Sequence, residues 1–131
     1  MSYLLDTNTA SLYLRGDEGV VRKLRRCSPA DVAVSAITAM ELQFGAERRK
    51  HPKLTAAVKA FLGGITVLPF DDRAAHWAGK LRAQLEGRGE RLGYADSLIA
   101  GHALAVAAIL VTSDADFARV KGLRRESWAS G

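Results

Sequence analysis

Four short apolar runs, Tyr3 to Leu5, Val32 to Val34, Ile65 to Leu68 and Ile109 to Val111, show none of the polar alternation that a half-exposed strand carries. Strands of this kind are covered on both faces, and such strands belong to parallel sheets with helices above and below. The intervening segments can supply those helices. Leu54, Val58 and Phe61 recur at a spacing of about 3.6, with Pro52 at the first turn and Gly63-Gly64 as the stop. Ala74, Ala75, Ala78, Leu81 and Leu85 repeat the pattern between Asp72 and Glu86, and Gly87-Arg88-Gly89 ends it. Ala95 to Ala107 reads as an Ala- and Leu-rich helix, and Leu123 to Trp128 as a short edge strand. The expected class is α/β: a three-layer α/β/α sandwich with a central parallel sheet of four to five strands.

At 131 residues, 48% of them hydrophobic, the chain can bury a core of ordinary size, and no linker, repeat or low-complexity tract divides it. One domain over residues 1–131 is expected. The longest mainly apolar stretch, Ala95 to Val111, contains Asp96 and His102 and runs from helix into strand, so no membrane span is expected. The start, Met1-Ser2-Tyr3-Leu4-Leu5-Asp6, lacks a basic segment and is interrupted by an acid, unlike a secretory signal. Cys27 is the single cysteine, which forbids an intrachain disulfide and fits a reducing, cytoplasmic setting.

Four acids stand where acids are least expected. Asp6 ends Tyr3-Leu4-Leu5, Glu41 lies within Ile37 to Leu42, Asp96 within Tyr94 to Ile99, and Asp114 follows Ile109 to Ser113. Burying a lone charge is costly, so carboxylates beside core segments are normally paired, protonated or bound to metal. None of the 19 Lys and Arg residues is adjacent to these four. In open α/β sheets, functional groups gather beyond the carboxyl ends of the strands where strand order reverses. Asp6 and Asp114 come just after strands, Glu41 falls on the helix after the second strand, and Asp96 falls in the first turn of the helix before the fourth. If the first and fourth strands are neighbours, all four converge at one edge. Their oxygens are hard donors that select magnesium or manganese, and His51, His76 and His102 are scattered. An ion so held keeps waters, activates one and neutralises phosphate charge, the chemistry of phosphodiester hydrolysis.

Each acid also has a local reading. Asp6, with Thr7 and Asn8, can cap the next helix, and Asp114 after Ser113 can cap another. Thr38 to Glu41 matches a Thr-x-x-Glu capping box, and Asp96 can complement a helix dipole. Four such coincidences, all at positions one sheet edge could share, favour a site. The net charge of +5 points to an anionic partner, with nucleic acid first. Basic residues cluster at Arg22 to Arg26, at Arg48-Arg49-Lys50-His51 with Lys53, and at Arg119, Lys121, Arg124 and Arg125. Arg48, Arg49 and Lys50 are the candidate RNA contacts, set against the plainer reading of a solvated helix face.

The opening Tyr3-Leu4-Leu5-Asp6-Thr7-Asn8, the block Ser35 to Gly45, the block Asp96-Ser97-Leu98-Ile99-Ala100, and Val111 to Phe117 with Gly122-Leu123-Arg124 and Trp128 together resemble the PIN-domain ribonucleases of the VapC toxin type. The resemblance spans essentially the whole chain, in order. It implies a PIN-like fold with the first and fourth strands adjacent, and a magnesium- or manganese-dependent endoribonuclease acting on structured RNA such as tRNA. It also implies a homodimer and neutralisation by a cognate VapB-type antitoxin. The family's catalytic and metal-holding acids fall on Asp6, Glu41, Asp96 and Asp114. Some relatives carry Asn where Asp114 stands and an acid just before the aromatic; here Asp116 holds that place, a candidate for orienting the site or holding a second ion. Thr7, Asn8, Thr112 and Ser113 are candidates for orienting ligands or water.

Other classes fit less well. A receiver domain could use Asp71-Asp72 after the third strand, but needs an acidic pair after the first strand and a Lys after the fifth. A haloacid dehalogenase phosphatase needs a second Asp where Asn8 stands. A basic RNA-binding module without activity would have no use for all four acids.

Overall fold

The computed structural model describes residues 2–131; Met1, which the one-domain expectation includes, lies outside them. In chain order the elements are β1 (Tyr3–Leu5), α1 (Thr7–Leu14), α2 (Glu18–Arg26), a 3-10 turn (Pro29–Asp31), β2 (Val32–Ser35), α3 (Ala36–Arg49) and α4 (Pro52–Gly64). There follow β3 (Thr66–Leu68), α5 (Asp72–Gly87), α6 (Tyr94–Ala105), β4 (Ile109–Val111), a second 3-10 turn (Ala115–Arg119) and β5 (Arg125–Glu126). Among the described residues the strands form one parallel sheet in the order β3-β2-β1-β4-β5.

Register explains the layers. Leu4 of β1 lies between Ala33 and Leu110, and Leu5 between Val34 and Val111. Successive strand side chains point to opposite faces. Leu4 and Leu110 therefore pack with Leu81, Leu85, Ile99 and Ala103 of α5 and α6, while Leu5, Val34 and Val111 pack with Ala10, Leu42, Val58 and Phe61 of α1, α3 and α4. The unalternating runs predicted this α/β/α sandwich. Helices α5 and α6 approach at backbone distance: a Cβ on Gly101 would stand 2.5 Å from Cα of Ala78, so only glycine fits there.

Three expectations are corrected. β3 is an edge strand rather than one covered on both faces, with Val67 36% exposed and Thr66 exposed too. An apolar run records β propensity and some burial, and does not record which strand ends the sheet. The helix predicted over 95–107 stops at Ala105, because Ala107 takes a left-handed backbone (φ 55°) that turns the chain into β4. The Thr38 to Glu41 capping box does not form, since α3 starts earlier: Ser35 caps it by accepting from the Ile37 amide at 3.1 Å, and Thr38 and Glu41 lie within the helix. At the other end, the tail docks on α2, where Asp17 accepts from the Ser130 amide (3.1 Å) and hydroxyl (2.6 Å). Among the described residues no helix is long and apolar enough to cross a membrane.

Candidate active site

Because β1 sits between β2 and β4, the chain leaves the sheet in opposite senses on its two sides, and the carboxyl ends of β1 and β4 form the switch point. Asp6 follows β1. It is 2% exposed, caps α1 by accepting at Oδ1 from the Thr9 amide (2.8 Å), and its own amide donates to the Val111 carbonyl (3.0 Å). Thr9 Oγ1 donates to the same carbonyl at 2.9 Å, tying α1 to the end of β4. Asp114 follows β4 and caps the second 3-10 turn by accepting from the Asp116 amide at 2.9 Å; its amide donates to Thr112 Oγ1 at 3.0 Å. Glu41 points from α3 toward α1, where the Thr7 hydroxyl donates to its Oε1 at 2.5 Å while sharing a 3.1 Å contact with the buried Thr38 hydroxyl. Asp96 lies in the first turn of α6, its Oδ2 3.4 Å from where a side chain on Gly93 would begin.

The electrostatics link these four. The Asp96 carboxyl is raised from 3.8 to about 6, first by burial and then by the negative charges of Asp6, Asp114, Glu41 and Asp116 in that order. The ion pairs among the described residues, Arg88 with Glu90 and Asp116 with Arg119, leave Asp6, Glu41, Asp96 and Asp114 without a cation. Nor do the acids form a closed cage: among the described residues, no three His, Cys, Asp or Glu side chains are gathered tightly enough to hold an ion as they stand. Asp6, Asp114 and Glu41 each commit one oxygen to a protein donor, which leaves the other oxygen of each open to a ligand. The donor set, all carboxylate, uncompensated and sharing one field, fits a hard divalent ion that would draw it together.

The PIN domain family matches residues 3–123, a span that includes all four acids of the corner at the β1/β4 switch. The chain belongs to the PIN domain family. It is 36% identical over 131 residues to the tRNA(fMet)-specific endonuclease VapC of Shigella flexneri, covering 98% of this chain and 99% of that one. It is 32% identical over 130 residues to a ribonuclease VapC2 of Haemophilus influenzae, with 98% of each chain covered. Among solved structures, DNA-bound VapBC of Salmonella typhimurium superposes with a TM-score of 0.90 at 34% identity, covering 98% of this chain and 99% of that chain.

Around the acids of this PIN domain the remaining candidates divide. Thr7 bonds Glu41 and Thr112 holds the Asp114 backbone. Asn8 is exposed and, with Thr7 and Glu41, lines a groove of about 280 Å³ that continues to Arg15, Arg48 and Arg49. Lys50 caps the end of α3 in a left-handed conformation and does not line that groove. The guanidinium of Arg48 lies 5.4 Å from the Phe44 ring centroid. Ser113 is exposed and shares a 2.8 Å bond with Ser127. Asp116 is exposed and pairs with Arg119 at 3.4 Å. Sequence reasoning missed Thr9, whose hydroxyl bridges α1 to β4, and took Thr38 only for a cap. Both are buried hydroxyls near acids, a usable signal, but their partners lie 102 and 31 residues away. His102 is no ligand: it is buried, bonded through Nδ1 to Ser35 Oγ at 2.8 Å, and its pKa is lowered by burial.

Proposed function

We propose that this chain, as one PIN domain, is a divalent-metal-dependent endoribonuclease of the VapC toxin type, cutting RNA such as tRNA and held in check by a VapB-type antitoxin. The observation that carries this reading is the convergence of Asp6, Glu41, Asp96 and Asp114 at the β1/β4 switch with no ion pair to any of the four among the described residues, which together with burial lifts the Asp96 carboxyl to about 6. Its relatives support the substrate class, being named tRNA(fMet)-specific endonuclease and ribonuclease, and the Salmonella typhimurium neighbour supports the antitoxin, being a VapBC complex.

Asp6, Glu41, Asp96 and Asp114 would hold magnesium or manganese. Such an ion supplies Lewis acidity and a water acidic enough to attack phosphorus near neutral pH. The protein prepares the rest. Thr9 pins Asp6, Thr7 pins Glu41 and Thr112 fixes the loop carrying Asp114, so three of the acids have their orientation set in advance. Without an ion the Asp96 carboxyl keeps its proton up to about 6, and a bound divalent ion would hold it ionised as a ligand. Arg48 and Arg49 line the groove that ends at Glu41 and would neutralise phosphates flanking the one cut. A homodimer and a cytoplasmic setting belong to the same reading.

Purified protein is incubated with total RNA, in magnesium or in chelator, and the new ends are mapped. Cleavage at defined positions only with the divalent ion is expected. Identical cleavage in chelator would sink the metal reading, and no cleavage under either condition the nuclease reading.

A further inference from the structure

We propose that Tyr94, backed by Arg82, is a stacking platform for one unpaired nucleobase beside the phosphate to be cut; this rests on the ribonuclease reading above. Tyr94 is 68% exposed, more than Phe44 (59%) or Met40 (53%), so core packing does not account for the ring. Neither is it loose. The Arg82 guanidinium lies 4.8 Å from the ring centroid, Arg82 Nη1 donates to Ser97 Oγ at 3.1 Å, and Ser97 Oγ donates to the Tyr94 carbonyl at 2.6 Å. A planar cation thus backs the ring and is itself held in place, while most of the ring remains in solvent.

Its position supplies the role. Tyr94 opens α6 directly after Gly93, the residue against which the Asp96 carboxylate lies, and so stands two residues from that acid in the same first turn. Next to Arg82 and Ser97 a groove of about 430 Å³ is lined by Arg82 and Arg91 together with Glu86 and Glu90, of which Glu90 is paired with Arg88 at 2.5 Å. Single-stranded RNA is bound in this way, with splayed bases on aromatic and guanidinium planes and phosphates on basic side chains. The group against the ring is a guanidinium, itself held by Ser97, and a cation-backed aromatic plane suits a nucleobase better than the apolar face of a peptide helix.

The probe is a short unstructured RNA oligonucleotide carrying 2-aminopurine at successive positions. It is titrated in chelator against wild type, Tyr94→Phe, Tyr94→Ala and Arg82→Ala, and then cut in magnesium. One position should be quenched by wild type and by Tyr94→Phe. Tyr94→Ala should abolish that quenching, weaken binding about tenfold and raise KM with kcat little changed. Arg82→Ala should fall between. Melting temperatures should stay level, since the ring is exposed. Quenching and affinity unchanged in Tyr94→Ala, with cleavage intact, would overturn the platform alone, as would a change of oligomeric state in place of affinity. Tyr94-dependent quenching without cleavage by wild type would keep the platform and sink the nuclease reading.

Discussion

Asp6 and Asp71 are built alike and end differently. Each follows a three-residue parallel strand, β1 or β3, and each caps the next helix through Oδ1, with Asp6 accepting from the Thr9 amide at 2.8 Å and Asp71 from the Ala74 amide at 3.0 Å. Asp6 is 2% exposed and contributes to the charge that raises Asp96, whereas Asp71 is exposed at the sheet edge. The difference is strand order. β1 has neighbours on both sides and lies at the switch point, so acids from α3, α6 and the loop after β4 meet the one that follows it; β3 ends the sheet. A strand-Asp-helix cap is therefore common local structure, and becomes a candidate site only where the chain reverses its winding.

Activity is where this contrast should be widest. Asp6→Asn and Asp96→Asn should each lower magnesium-dependent RNA cleavage by on the order of a hundredfold or more, about 3 kcal/mol of barrier, while Asp71→Asn stays near wild type. Asn keeps the shape and the capping carbonyl but not the charge. Gel assays on folded protein decide it, and near-wild-type rates in Asp6→Asn would make the two aspartates equivalent caps.

Stability should respond next. Asp96 titrates near 6 in the fold and near 3.8 when unfolded, so the fold favours its neutral form. Metal-free protein should be most stable with respect to this group below about pH 4 and lose that contribution as pH rises to about 6. Melting curves in chelator across this window should show the fall in wild type and lack it in Asp96→Asn. Magnesium at about 100 times its dissociation constant should restore roughly 2.7 kcal/mol. Asp114→Asn, which can keep its bond from the Asp116 amide, should melt higher than wild type in chelator and gain less from magnesium.

The smallest effect belongs to Asp71. Asp71→Ala should cost about 1 kcal/mol through the lost cap, read as a lower melting temperature that is the same in chelator and in magnesium. A magnesium-dependent cost would extend the acid site to the sheet edge.

Much was legible without coordinates, since two periodicities place most helices and strands. The helix over Pro52 to Gly64 follows from Leu54, Val58 and Phe61, and the strands of the sandwich from runs without alternation. The prominence of Asp6, Glu41, Asp96 and Asp114 was also legible, because a charge inside an apolar segment is costly wherever the chain folds. Other features depend on partners distant in sequence. That β3 is exposed while β1 is buried on both faces rests on which strands are adjacent, and both read as the same apolar run. That Glu41 bonds Thr7 rather than a backbone amide rests on α1 and α3 meeting across the sheet edge. Hydrophobic pattern is a property of neighbours along the chain and fixes elements and faces; pairing, burial of a particular carboxylate and the field at Asp96 are properties of neighbours in space, and only the tertiary fold determines those.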